Sequence, residues 1–307
     1  MLLDDELAAY RTQTVCSDPG RMAEWVGEPP SDLAELRRLA SGLIFHYRAN
    51  GELKQHGFDD DRLPEIDLRY AEEQFARLAE LRAGPLETPR AATERILGCC
   101  RDFTLLVVSL ARRAGIPARS RVGFAGYFDD GWWIDHVVAE IWDADAARWR
   151  LVEPQLQAGF VDWATGAPLD LVDVPRARFL TGDEAWLAAR AGRIDPERSV
   201  VAVGLEIPAL RSWPYLAHNL VLDLVARAGH EALLWETWGV LDAFSAEAPD
   251  AALAADLDRI AVRLADPAVT LDEVRALAAD PRFAVPEVVT NHSPLDGSSR
   301  RVTLRTS

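Results

Sequence analysis

Cys100, His136 and Glu153 are the residues of this 307-residue chain whose types and spacing can carry covalent chemistry. A thiolate is a strong nucleophile. An imidazole generates it near neutral pH, and a carboxylate fixes the imidazole tautomer and steadies its charged form. Cys100 opens a helical pattern whose apolar stripe is Phe103, Leu106, Val107, Leu110 and Ala114, stopped by Gly115 and Pro117. At a helix mouth, unsatisfied N–H groups and the helix dipole favour a negative sulfur. Cys99 precedes the first turn and is the poorer nucleophile on that geometry. Set against this, most free cysteines are small buried hydrophobes.

His136 lies in the strand-like run Trp132-Trp133-Ile134-Asp135-His136-Val137-Val138. Asp135 points to the opposite face of such a strand, so the orienting acid must come from a neighbouring one. Glu153 supplies it if 132–142 and 148–152 form a hairpin across the short loop 143–147. Pairing Trp142 with Arg148 puts His136 opposite Pro154. A one-residue slip puts His136 directly opposite Glu153 on one face. Delivery therefore needs an odd register sum or a bulge.

These residues need elements to hold them. Ser31 or Asp32 caps a helix running through Leu33, Leu36, Leu39 and Leu43, closed by His46. Residues 50–62 read as a polar loop. A second helical pattern follows at Leu68, Ala71, Phe75, Leu78 and Leu81, with Gly84-Pro85 as its stop. Arg119–Phe128, Trp132–Trp142 and Arg148–Val152 are rich in β-branched and aromatic residues and read as strands. Residues 155–240 turn irregular and then helical, with Leu216, Leu220, Leu224 and Val225 on one face. Two acidic amphipathic helices occupy 250–280, and a final strand or frayed tail follows over 285–307.

Composition sets the surroundings. The formal net charge is −16 and 49% of residues are hydrophobic, which fits a globular chain and opposes a nucleic-acid or anionic-membrane partner. No apolar run reaches the roughly 18–20 residues that span a bilayer, and Leu2-Leu3 followed by Asp4, Asp5 and Glu6 is the wrong start for a signal peptide. Three cysteines (Cys16, Cys99, Cys100) make no disulfide framework and no zinc spacing. A reduced, cytoplasmic thiol protein without metal or cofactor is the expectation.

Gly98-Cys99-Cys100-Arg101-Asp102-Phe103, Ala114-Gly115-Ile116-Pro117-Ala118-Arg119, Asp135-His136 and Trp149-Arg150-Leu151-Val152-Glu153-Pro154 together resemble the transglutaminase-like superfamily. The match in order and spacing covers about residues 95–156. More loosely, Ser17-Asp18-Pro19-Gly20, His46-Tyr47, Val122–Phe128, Asp173-Val174-Pro175 and Trp235–Gly239 make the whole chain similar to a bacterial branch of that superfamily. The resemblance implies an α+β, papain-like core: a nucleophile helix packed on an antiparallel sheet, with additional helices at both ends. It divides the chain into an N-terminal helical region (1–94), a catalytic core (95–160) and a mostly helical C-terminal region (161–307) forming one unit with the core.

It also implies the roles: Cys100 as nucleophile, His136 as base and Glu153 as acid, in a cysteine-dependent amide hydrolase or acyl transferase acting on a small or peptide-like substrate through a thioester acyl-enzyme. Two departures stand out. The family usually carries aspartate where this chain has Glu153, and often an aromatic where it has Val137-Val138. The first leaves open a non-catalytic binding or scaffold protein. A tailoring acyl transferase using a carrier-bound thioester is the third reading, disfavoured by charge because carriers are commonly acidic. Trp133, Arg119, His218, Asn219 and Trp235 are candidates for substrate binding; each also has a plain packing or ion-pairing reading.

Overall fold

The computed structural model describes residues 2–243 and 247–305. Its contacts group into two compact units that interleave along the chain. The first is Met1–Ser120, Val138–Ala158 and Asp170–Val174; the second is Arg121–Val137, Gly159–Leu169 and Pro175–Ser307. This grouping differs from the consecutive division expected over 1–94, 95–160 and 161–307. The chain changes unit inside two strands, Ala118–Ala125 and Trp133–Asp143, so no cut between elements separates the units.

In the first unit the elements run α1 (Leu2–Arg11), α2 (Ala23–Val26), α3 (Leu33–Ser41), β1 (Ile44–His46), α4 (Ala71–Leu81), β2 (Ile96–Gly98) and α5 (Cys100–Arg113). They are joined by the start of β3 (Ala118–Ala125), the second half of β4 (Trp133–Asp143) and β5 (Arg148–Val152). The Asp32 carboxylate caps α3 by accepting the Glu35 N–H at 2.9 Å. That helix stops at Ser41, short of the expected span, because Ile44-Phe45-His46 pairs in parallel with Ile96-Leu97-Gly98.

Helix α5 is buried from Cys100 through Arg112, not along one stripe. Helices α1, α3 and α4 all pack on it. Leu36, Ala40, Phe75 and Leu78 share one apolar cluster with Leu106, Val107 and Leu110. Each large side chain buried there contributes about 1.5–3 kcal/mol. The polar residues of α5 are buried with partners, as buried polar groups must be. Arg112 donates to the Ala118 carbonyl at 3.0 Å and to Ser17 Oγ at 2.8 Å.

The β4–β5 hairpin is antiparallel, with Trp142 opposite Trp149 and Ala139 opposite Val152. Its loop turns on Asp143, whose Oδ1 accepts the N–H groups of Asp145 and Ala146, and Ala147 takes a positive φ of 50°.

The second unit holds β6 (Phe179–Thr181), α6 (Gly182–Arg190), β7 (Ser199–Val200), α7 (Ser212–Arg227), β8 (Glu236–Thr237), α8 (Ala251–Ala265), α9 (Leu271–Ala278), β9 (Val288–His292) and β10 (Ser299–Thr303). Helices α6, α7 and α8 pack on one another, and α9 packs on α7. The second part of β3 pairs antiparallel with β6, and β7 pairs in parallel with the first part of β4. The five-stranded sheet runs β5-β4-β3-β6, with β7 also on β4.

Gly182 starts α6 where a Cβ would lie 2.5 Å from the Asn219 carbonyl oxygen, so only glycine lets α6 and α7 approach this closely. Arg121 is buried in an ion pair with Asp223 at 2.8 Å and Asp183 at 3.2 Å. The molecule is of the α+β class expected from the sequence. Among the described residues no helix is long and apolar enough to cross a membrane.

Candidate active site

Cys100 is the first residue of α5, and Cys99 caps the helix in an extended conformation. The chain enters from β2 through Gly98. Asp102, one turn in, folds back over that entry: its Oδ2 accepts the Cys99 N–H at 2.8 Å. Its Oδ1 accepts Nε2 of Gln74 at 2.9 Å and Nη1 of Arg101 at 3.0 Å. A Cβ on Gly98 would stand 2.7 Å from the Asp102 carboxylate, so glycine is needed at this step. The Gly98 carbonyl accepts the Tyr47 N–H at 3.0 Å, which brings the end of β1 beside the helix mouth. Burial is the main reason the Tyr47 phenol is pushed up to about 12, and the Cys99 and Cys100 thiols add to it against a hydrogen bond from Arg48.

Glu153 follows β5 in the same unit and is fully buried. Its Oε1 accepts the Gln155 N–H at 2.9 Å. Arg37, on α3, donates from Nη1 to the carbonyl oxygens of Glu153 at 3.1 Å and Leu156 at 2.8 Å, pinning the turn that carries the carboxylate. Burial lowers the Arg37 pKa, and Glu153 opposes that shift. The hairpin register sum is odd. Continuing the ladder by one residue sets Glu153 across from Val138, so the direct opposition to His136 expected from a one-residue slip is not the observed register. His136 is two residues before Val138 on β4, hence on the same face of the strand.

His136 lies in the second unit, buried among aromatic rings. Phe128 meets the imidazole edge-on with centroids 4.9 Å apart, and Tyr127 does so at 6.1 Å. Asp135, on the other strand face, is engaged elsewhere. Its Oδ1 accepts Nδ2 of Asn219 at 2.8 Å, and Tyr215 also hydrogen-bonds it. Burial pushes the Asp135 carboxyl up against those two bonds. This is the alternation that excluded Asp135 as the orienter of His136.

The candidates for substrate binding occupy varied places. Arg119 is buried in the first unit, paired with Glu140 at 2.7 Å and Glu6 at 3.2 Å and lying 4.2 Å from the Trp149 ring centroid. In the second unit Trp133 is half-buried against Gly126. Asn219 is wholly buried, donating to Asp135 and, at 3.3 Å, to the Gly123 carbonyl. His218, stacked on Tyr215, places Nε2 3.1 Å from the Leu234 carbonyl. Burial is the main reason its pKa falls to about 4. Trp235 is half-buried, and its carbonyl accepts the His292 N–H at 2.9 Å.

Gln74 and Arg37, which hold the helix mouth and the Glu153 turn, were not among the sequence candidates, and Tyr47 was quoted only within the His46-Tyr47 resemblance, with no role. A buried Arg37 one residue from Leu36 on an amphipathic helix was the available signal.

Residues 69–154 match the family model of the transglutaminase-like superfamily. That segment holds α4, α5 and the hairpin that bears His136 and Glu153. A solved structure of a candidate cysteine protease from Cytophaga hutchinsonii is similar at 14% identity with a TM-score of 0.33, over 57% of this chain and 45% of that one. The chain thus spans under half the length of that protein. No curated protein matches the chain.

Proposed function

We propose that this chain, with its transglutaminase-like segment, is a cysteine-dependent amide hydrolase or acyl transferase using Cys100, His136 and Glu153. The observation that carries the reading is the placement of Cys100 as first residue of a buried helix whose entry is braced by Asp102. The odd register of the β4–β5 ladder, with Ala139 opposite Val152, adds support.

In this mechanism His136 takes the Cys100 proton, giving a thiolate and an imidazolium. Glu153 steadies that imidazolium. The thiolate attacks the carbonyl carbon of an amide or thioester and the carbonyl electrons move to oxygen. N–H groups at the helix mouth stabilise that oxyanion, each donor contributing about 3–4 kcal/mol. The intermediate collapses, the C–N or C–S bond breaks, and His136 returns its proton to the leaving amine or thiol. An acyl-thioester remains on Cys100. Water or an amine then attacks it, giving its proton to His136, and the Cys100 thiol is regenerated.

The test is intact-mass detection of an acyl adduct after incubation with pools of amides and thioesters. Adducts should form on the natural protein and on Cys99→Ser, and none on Cys100→Ala. Adducts that persist in Cys100→Ala would end the proposal.

A further inference from the structure

Strands β8, β9 and β10 of the second unit carry a hydrogen-bonded chain of side chains on one face. His292 on β9 stands opposite Ser299 on β10, and Thr237 on β8 stands opposite Thr290 on β9. Side chains alternate along a strand, so Thr290 and His292 share a face, while Val289 and Asn291 turn to the other and are buried. Thr237 is thus the diagonal neighbour of His292, within side-chain reach. The imidazole bridges the two flanking strands: Nδ1 lies 2.8 Å from Ser299 Oγ, and Nε2 lies 2.9 Å from Thr237 Oγ1. Thr237 Oγ1 in turn donates to Oδ1 of Asp242 at 2.6 Å.

These contacts fix the protons. A threonine hydroxyl has one hydrogen, and Thr237 gives it to Asp242. The Thr237 oxygen therefore accepts from the Nε2–H of His292. A neutral imidazole with its proton on Nε2 has a bare Nδ1, to which the Ser299 hydroxyl donates. A hydroxyl aimed at a tautomer-fixed imidazole, with a carboxylate behind it, has the arrangement of an activated nucleophile. Burial does not require this arrangement, because Ser299, His292 and Asp242 are exposed and water would satisfy each of them.

We infer that Ser299 is a further nucleophile of this protein, with His292 as its base, and that it takes activated oxygen esters. Such an ester suits an exposed hydroxyl, since its leaving group departs as an anion and needs no proton from the site. The inference stands apart from the reading of Cys100, which concerns amides and thioesters.

The probe is 4-nitrophenyl diethyl phosphate, whose serine adduct persists. Ser299 Oγ forms a bond to phosphorus as the bond from phosphorus to the phenolic oxygen breaks. The 4-nitrophenolate leaves, and the hydroxyl proton passes to Nδ1 of His292 and from there to water. Adducts are located and timed by peptide mass. Ser298, whose hydroxyl bonds the Asp296 carboxylate, is the control within the same peptide. On the natural protein Ser299 should be modified at least about tenfold faster than Ser298, a modest part of what a positioned base supplies. The Ser299 rate should fall at least about tenfold in His292→Gln and about threefold in Thr237→Val, which removes the acceptor that fixes the tautomer. A Ser299 rate no greater than that of Ser298 on the natural protein would overturn the inference without any variant. So would a Ser299 rate untouched by His292→Gln. A rate unchanged in Thr237→Val would overturn the proton assignment on which the inference is built. None of these readouts involves Cys100, so the two proposals fail separately.

Discussion

The Cys99 N–H donates to the Asp102 carboxylate at 2.8 Å, from the helix cap to a residue one turn in. The same carboxyl group takes donors from Gln74 and Arg101, so one buried acid joins α4 to the mouth of α5; burial raises its pKa, against the Arg101 charge and these hydrogen bonds. Capping here organises a candidate catalytic group as well as a helix end.

Removing that carboxyl group should therefore be costly. Asp102→Ala loses a capping bond and strands two buried donors, one of them charged, for a combined loss of about 3–5 kcal/mol. Asp102→Asn keeps one acceptor oxygen and should lose roughly half as much. Urea unfolding followed by circular dichroism measures both. A change under about 0.5 kcal/mol in Asp102→Ala would mean that the bonds around this carboxylate contribute nothing net.

The thiols offer a comparison in which burial is held constant. Cys16, Cys99 and Cys100 are 2%, 5% and 6% exposed, so accessibility alone cannot make one of them fast. Only Cys100 lies in the first turn of a helix, where a thiolate is favoured. Iodoacetamide at neutral pH should label Cys100 about tenfold or more ahead of Cys16. Equal slow labelling of all three would remove the activated-thiolate idea.

Glu153 separates charge from shape. Glu153→Gln preserves an acceptor for the Gln155 N–H but removes the negative charge, and should slow acyl transfer about 10–100-fold by weakening the imidazolium. Glu153→Asp, which restores the residue usual in the superfamily, should retain more activity than Glu153→Gln. Steady-state kcat/KM across pH checks both. Full activity in Glu153→Gln would assign the orienting role to another group.

Acid sensitivity should track His218. An unfolded histidine protonates near 6.5, whereas His218 is pushed down to about 4, first by desolvation. Between those values the unfolded chain binds the additional proton, so folding stability falls as pH drops through this window. The loss is at most about 3–4 kcal/mol, at roughly 1.4 kcal/mol for each pH unit. His218→Gln keeps a donor for the Leu234 carbonyl and carries no titrating ring. Its unfolding free energy should fall less steeply between pH 6.5 and 4 than that of the natural protein; parallel slopes would show that this histidine does not govern the acid limb.

Much of the candidate site was readable along the chain. The order glycine, two cysteines, a helical stripe, a strand histidine and an acid after the next strand marked Cys100, His136 and Glu153. The turn residues placed α5 and the β4–β5 hairpin. Local signals of this kind survive because each reports on a few neighbouring residues: a cap, a period, a stop. Partners distant along the chain leave no such local signal. Ile44-Phe45-His46 looked like the end of a helix and is a strand, because Ile96-Leu97-Gly98, some fifty positions on, supplies its ladder.

What the amino-acid sequence determined by itself was which residues are candidates and on which elements they stand: a thiol at a helix start, an imidazole on a strand and an acid after the next strand, with the register between the two strands left open. The tertiary structure decided the register itself, Ala139 opposite Val152, and the supports that no spacing announces: Arg37 on the 153–156 turn, Gln74 on Asp102, Phe128 on His136. The physical reason is that periodicity encodes which face of an element turns inward, whereas the residue that meets it there is chosen by packing between segments far apart in the chain.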